Sequence, residues 1–252
     1  MIEIFILSLI QGITEFLPIS SSSHLIIVSE YFNFENNGLE IDVSLHIGSF
    51  LAVVVFFRKD IFNFIQNRNL LFKIFFGSLP VIIVGFFLVK FDLISQIRNI
   101  KVIGWTTLIF GILLYISDRS ELLKNINNNL TFKSIFFIGF FQILSLIPGV
   151  SRSGIAITGA RILKFSRYDA AKISFLLSIP TLAAVSFFGL HNLMESGNSS
   201  FSFLMLNSIT LSFLFSYFTI KYFLKYIKTF SLNLFVLYRV VLGISLLIFA
   251  YL

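Results

Sequence analysis

A carboxylate, four consecutive hydroxyls and an imidazole follow one another near the amino end: Glu15, then Ser20, Ser21, Ser22 and Ser23, then His24. They interrupt an otherwise apolar stretch, where an ionisable group is costly and marks a site by default. Glu15 can serve as a base toward a serine. His24 adds a second general acid/base or a nucleophile in its own right. The structural alternatives are a hydrogen-bonded Glu15, a packing histidine, and serines that cap a helix restarting after the break. A second constellation reads Pro148-Gly-Val-Ser-Arg-Ser-Gly154, and its Arg152 is the one cation between Lys133 and Arg161. A planar guanidinium binds phosphate oxygens two at a time. Backbone N–H groups around Ser151 and Ser153 add donors at a helix start, with Gly149 and Gly154 permitting close approach. The structural alternative for Arg152 is an ion pair with Glu15 that ties the two regions together. A base, a nucleophile and an anion clamp together suit phosphoryl transfer on a lipid-borne substrate. A glycosidase would need a second carboxylate, and Gln11 stands where one could have been. The chain has no Walker A motif, zinc-type ligand spacing or dinucleotide fingerprint.

The elements that hold these residues must lie in a membrane. Of 252 residues, 57% are hydrophobic, 12% are charged and 34 are Phe, more apolar surface than a soluble core of this size can bury. Mean hydropathy is +0.93. Six stretches approach the roughly 20 apolar residues that span a bilayer: Ile41–Phe57, Leu71–Val89, Val102–Ser117, Ala171–Leu190, Phe203–Tyr222 and Leu234–Tyr251. Ile2–Ser29 and Ser134–Leu163 differ, because each reads as helix, polar break, helix. Irregular backbone at membrane depth requires protein or water around it, so both are expected to be re-entrant hairpins. No Lys or Arg precedes Arg58, and 14 of the 19 basic residues fall into four clusters, at 58–73, 119–133, 161–172 and 221–228. If the first hairpin enters from outside and the second from the cytoplasm, all four clusters lie inside, with both termini outside. The 90–101 loop alone dissents.

Gln11-Gly-Ile-Thr-Glu-Phe-Leu-Pro18-Ile-Ser-Ser resembles Gln142-Ile-Leu-Ser-Leu-Ile-Pro148-Gly-Val-Ser-Arg. Three spans separate the two, an odd number, so the halves (about 1–117 and 118–252) must be inverted relative to each other. Inverted repeats with broken helices place the site at their interface. The expected architecture is therefore an all-α integral membrane protein: one domain, six spans and two re-entrant hairpins. The net charge of +7 belongs to loops lying against anionic lipid rather than to a nucleic-acid surface. Cysteine is absent, which excludes disulfides and thiolate metal sites. Glu3, with no basic residue beside it, argues against a cleaved signal peptide. Among the remaining polar residues, His46 is placed near the cavity, and His191 at an outer helix end with no chemical role. Gln142 is a candidate to hydrogen-bond across the repeat axis, and Arg239 an interfacial anchor or a partner to a helix end.

At Gln11–His24 and Pro148–Gly154 the sequence resembles the undecaprenyl-diphosphatase family, the bacitracin-resistance proteins. Gly77-Ser-Leu-Pro80, Arg167-Tyr-Asp-Ala-Ala171, Phe175-Leu-Leu-Ser-Ile-Pro180 and Tyr238-Arg239 extend the likeness over nearly the whole chain. The resemblance implies a plasma-membrane enzyme with an outward-facing site. It would hydrolyse undecaprenyl diphosphate to undecaprenyl phosphate and phosphate, recycling the carrier for cell-wall synthesis and conferring bacitracin resistance. It further implies dependence on a divalent cation, Mg²⁺ or Ca²⁺, with Glu15 as its ligand. By the same likeness Glu15, Ser21, His24 and Arg152 are catalytic. Gln11 and Ser151 are carried over as substrate-binding, and the residues beside the two breaks add Ser20, Gln142, Gly149, Ser153 and Gly154 as further substrate-binding candidates. The chain departs from the family pattern at three places. Gln11 stands where many members have Glu, Ser22-Ser23 replaces Thr-Gly, and the hydroxyl after Ser-Arg-Ser-Gly is displaced to Thr158. The nucleophile stays open between Ser21, His24 and a metal-activated water, with Ser21 favoured. Homodimers are compatible with the sequence.

Two rival readings remain. A polyprenyl-phosphate or small-anion transporter could use the same inverted repeat and buried arginine, but would have less use for Glu15 beside Ser21 and His24. Acid-phosphatase-like lipid phosphatases need a second histidine soon after Ser-Arg. The first histidine beyond Arg152 is His191, a spanning helix away.

Overall fold

The computed structural model describes residues 2–32, 39–66, 68–195 and 203–252. Among these the chain is helical, with α1 Ile2–Thr14, α2 Ser21–Tyr31, α3 Leu39–Phe56, α4 Arg58–Gln66, α5 Arg68–Lys90, α6 Leu93–Ile97 and α7 Ile100–Asp118. The second part contributes α8 Ile126–Asn129, α9 Phe132–Ile143, α10 Arg152–Ile162, α11 Arg167–Glu195, α12 Phe203–Tyr226 and α13 Asn233–Tyr251. Six of them, α3, α5, α7, α11, α12 and α13, are long and apolar enough to cross a membrane. These are the six stretches expected from hydropathy, each one to five residues longer at one or both ends. The protein is a multi-pass membrane protein.

Burial separates the spans. In α11, 56% of the apolar window is inside the protein, against 22% in α5 and in α13. So α11 is the central helix, and the others turn side chains such as Phe76, Phe86, Ile109, Leu237 and Phe249 outward. Without a hydrophobic drive between helices in lipid, close backbone approach and hydroxyl bonds must hold the spans. A Cβ on Gly139 in α9 would lie 2.0 Å from the Gly77 oxygen in α5, and one on Gly12 in α1 would lie 2.4 Å from Phe215 Cβ in α12. Ser78 Oγ of α5 donates to the Leu177 oxygen of α11 at 3.1 Å, and Ser212 Oγ of α12 donates to the Leu45 oxygen of α3 at 2.7 Å. These contacts leave no room for larger residues.

The two polar breaks are where sequence analysis set them. α1, with 13 residues, and α2, with 11, are each too short to span, about 20 Å at most. They pack against one another, and residues 15–19 form the turn between them. α9 passes through a 3₁₀ turn at Leu144–Leu146 and then a loop before α10. Both new helices begin after a serine in the left-handed region, Ser20 (φ 74°) and Ser151 (φ 71°). Serine rarely adopts this conformation, and such strain persists only where surrounding structure enforces it. At its base the second pair is tied down by Arg161, fully buried. Its guanidinium donates to the Asp118 and Ser120 carbonyls, while Asp118 accepts from Arg167 Nε at 2.7 Å and from the Leu232 N–H at 3.2 Å.

Candidate active site

The two breaks face each other. Ser21, the first residue of α2, donates its hydroxyl hydrogen to Glu15 Oε2 at 2.6 Å. Arg152, the first residue of α10, donates from Nη2 to Glu15 Oε1 at 2.7 Å. One carboxylate thus joins a hydroxyl from one break to the guanidinium of the other, across 137 positions of sequence. Glu15 and Arg152 are 7% and 13% exposed, so the pair is largely withdrawn from solvent. Gln11, one helical turn earlier, donates from Nε2 to Glu15 Oε2 and to His46 Nδ1, both at 3.3 Å.

These groups border a cavity of about 180 Å³, whose wall includes Glu15, Ser20–Ser22, His46, Ser145, Ser151 and Arg152. Its apolar side is Leu182 and Val185 of α11, with Thr181 between hydroxyl and hydrocarbon character. Arg152 Nη1 is buried without a partner. A buried cationic donor left unpaired is expensive, so an anion that reached it would be held. Polar groups on one side and hydrocarbon on the other suit an amphiphile with an anionic head.

The sequence profile of the family described as Bacitracin resistance protein BacA matches residues 4–245. The chain belongs to the BacA family. Among its relatives is the undecaprenyl-diphosphatase of Pelagibacter ubique (strain HTCC1062), 54% identical over 251 residues, covering 99% of this chain and 98% of the relative. Proteins of the same name from Hahella chejuensis (strain KCTC 2396) and Jannaschia sp. (strain CCS1) are 40% and 36% identical, each match covering at least 98% of both chains.

Other residues singled out in this BacA-family sequence fall into distinct places. His24 is not on the cavity wall. Its Nδ1–H donates to the Ser20 carbonyl at 2.6 Å, and its Nε2 is 2.6 Å from the Tyr238 hydroxyl, the two rings stacked. The carbonyl can only accept, so Nδ1 carries the proton and Nε2 accepts from Tyr238. Ser20 Oγ lies 3.0 Å from Ser23 Oγ, and Ser151 Oγ caps α10 by accepting from Gly154 N–H at 3.1 Å. Ser153 donates to the Leu17 carbonyl at 2.7 Å, stitching the second break to the first. Gly149 has φ 93°, open only to glycine without strain. Gln142 is buried with both amide atoms unpartnered, so no bond crosses the molecule from it. Thr158 bonds back to the Gly154 carbonyl of its own helix. His191 is exposed, 3.8 Å from Glu195.

Of the two sequence readings of Arg239, the interfacial anchor fails because the residue is wholly buried. It donates to backbone carbonyls, those of Pro18 and Gly149 lying just ahead of the starts of α2 and α10. Sequence reasoning passed over Tyr238 as a histidine partner and over Thr106 and Thr107. Thr106 Oγ donates to the Pro148 carbonyl at 2.5 Å and Thr107 Oγ to the Gly149 carbonyl at 3.4 Å. Two adjacent hydroxyls in the middle of an apolar span were the available signal. Among the described residues no three acidic or histidine side chains gather as a metal cluster. The cavity offers one carboxylate and several hydroxyls, with Gln11 Oε1 buried and unpartnered nearby. Such a donor set fits a cation held mainly by phosphate oxygens, not one caged by protein.

Proposed function

We propose that this chain hydrolyses undecaprenyl diphosphate to undecaprenyl phosphate and inorganic phosphate, with Ser21 as nucleophile. The observation that carries the reading is the unbroken contact Ser21–Glu15–Arg152 on one cavity wall. The terminal phosphate displaces Glu15 from part of the Arg152 fork and engages the unpartnered Nη1. Glu15, loosened from that cation, accepts the Ser21 proton. Ser21 Oγ forms the new bond to the terminal phosphorus, the bridging P–O bond breaks, and undecaprenyl phosphate leaves. The Glu15 proton passes to the departing undecaprenyl phosphate. Water then attacks phosphorus and gives a proton to Glu15, while the P–O bond to Ser21 breaks and Ser21 Oγ takes that proton back from Glu15. Negative charge developing on the phosphoryl oxygens is met by the fixed guanidinium in a site of low dielectric. His24 has both ring nitrogens engaged, which supports a supporting role for it rather than nucleophilic attack. A Mg²⁺ or Ca²⁺ ion, if carried in by the diphosphate, would be held by Glu15 and would neutralise phosphate charge.

The enzyme is placed in the plasma membrane, with both interrupted helix pairs re-entrant and the two halves related as an inverted repeat. Matched features support this arrangement: Ser20 with Ser151, and the Ser78–Leu177 bond with the Ser212–Leu45 bond. The four basic clusters lie inside, both termini outside and the cavity open outward. That orientation suits a carrier released on the outer face during cell-wall synthesis and explains a link to bacitracin resistance.

The test is phosphate release from purified protein given undecaprenyl diphosphate. Ser21→Ala and Arg152→Ala are each expected to lose on the order of 10²–10³-fold in kcat, and a phosphoserine should be trapped at Ser21 by rapid acid quench. Full activity in Arg152→Ala would remove the phosphate clamp. Binding without turnover in the wild type would favour a transporter.

A further inference from the structure

Arg239 of α13 is fully buried, and among the described residues it has no carboxylate partner. A buried cation in a membrane span ordinarily finds an anion or faces a water-filled path. This one instead divides its donors among three backbone carbonyls from three parts of the chain. Nε donates to the Thr107 oxygen of α7 at 3.2 Å, Nη1 to the Pro18 oxygen at 3.4 Å and Nη2 to the Gly149 oxygen at 3.0 Å. The last two belong to the two breaks. Pro18 stands three residues before Ser21, the first residue of α2, and Gly149 stands three residues before Arg152, the first residue of α10. The guanidinium therefore grips equivalent peptides in the two halves. Space for it is made by absent side chains: a Cβ on Gly154 would lie 2.9 Å from Arg239 Nη1, and one on Gly111 would lie 3.0 Å from Arg239 Cβ.

We propose that Arg239 is a positioning residue, which fixes the distance between the Ser21 and Arg152 ends of the site by holding the Pro18 and Gly149 carbonyls together. The inference builds on the hydrolase reading above. A fork of donors in fixed directions can hold two separate peptides, whereas a lysine ammonium on a flexible stem cannot reproduce the angles. The Gly149 carbonyl is shared with Thr107, so the second tip is also held from α7. The first tip has no such bond to α7. It keeps the Ser153–Leu17 and Arg152–Glu15 contacts with the second tip, so loss of Arg239 should loosen it rather than free it.

Two variants of the full-length protein test the idea, Arg239→Lys and Gly154→Ala. The second keeps the arginine and pushes a methyl group against its Nη1. Each should fold, as judged by a single gel-filtration peak in detergent. Each should lose about 100-fold in kcat, the scale of a misplacement near 1 Å. In Arg239→Lys KM should stay within about threefold, since Arg152 still binds phosphate. A second readout needs no turnover. With no native cysteine, spin labels at Ser22→Cys and Ser145→Cys report the separation of the two tips. The distance distribution should be narrow with Arg239 and at least twice as wide with lysine. An unchanged width in Arg239→Lys, or a loss carried by KM, overturns the proposal. If the wild type releases no phosphate yet the lysine variant broadens the distribution, the hydrolase reading fails and the positioning role stands.

Discussion

Glu15 occupies the point where three partners meet: a serine hydroxyl, a glutamine amide and an arginine guanidinium. Removing one member of such a buried set exposes the others. Glu15→Ala leaves Arg152 without its anion, at a cost of about 3–5 kcal/mol, so the variant should melt earlier in detergent as well as lose turnover. Glu15→Gln keeps the shape and should lose turnover with a smaller fall in melting temperature; equal melting of the two variants would contradict a buried ion pair. His24 is expected to behave differently from Ser21. Its Nδ1–H holds the Ser20 carbonyl, a bond that an asparagine amide can imitate. His24→Asn should therefore retain kcat within about tenfold, the worth of one hydrogen bond. Loss comparable to Ser21→Ala in steady-state phosphate release would make the histidine itself chemical.

The interrupted helices do what continuous ones cannot. A straight span would bury its backbone polar groups along its length and present no helix start at the cavity. Breaking the helix at Ser20 and at Ser151 places Ser21 and Arg152 at the first turn of new helices, where N–H groups are free and the dipole favours anions. Because α1 and α9 are short, their hold on α12 and α5 depends on close approach at glycine. Gly139→Ala puts a methyl group against the Gly77 carbonyl, and overpacking of this kind costs roughly 1–3 kcal/mol. Thermal unfolding of the purified variant should show a clear drop, with activity lost in proportion. A wild-type melting curve would mean that α5 and α9 can separate freely.

For the whole molecule, the proposed orientation rests on the charge distribution. The absence of native cysteine permits single-cysteine labelling with a membrane-impermeant maleimide in intact cells. Asn125→Cys and Thr229→Cys, in the basic connections after α7 and α12, should be protected until the membrane is opened. Phe91→Cys, in the connection after α5, should label at once. Reversal of that pattern would invert the protein and turn the cavity inward. The basic residues of the 90–101 segment stand against the rule that otherwise sets this orientation, and labelling at position 91 decides which prevails.

Hydropathy by itself determined the six spans, because in lipid a backbone must satisfy its own hydrogen bonds and only long apolar helices do so. The same constraint made Glu15 and Arg152 conspicuous, since charge in such segments needs a reason. The approach of Glu15 to Arg152 across the repeat was within reach of the sequence, and the pair forms at 2.7 Å. Most other relations between residues far apart in the chain were left undecided. Whether His24 faces the cavity or Tyr238 depends on the rotation of α2, and hydrophobic pattern says little about rotation when a helix is apolar or polar all round. The place of Arg239 was equally hidden, because its partners are carbonyls, and carbonyls look alike in every sequence. Only the packing of α13 against α7 and the two breaks could show which oxygens it holds.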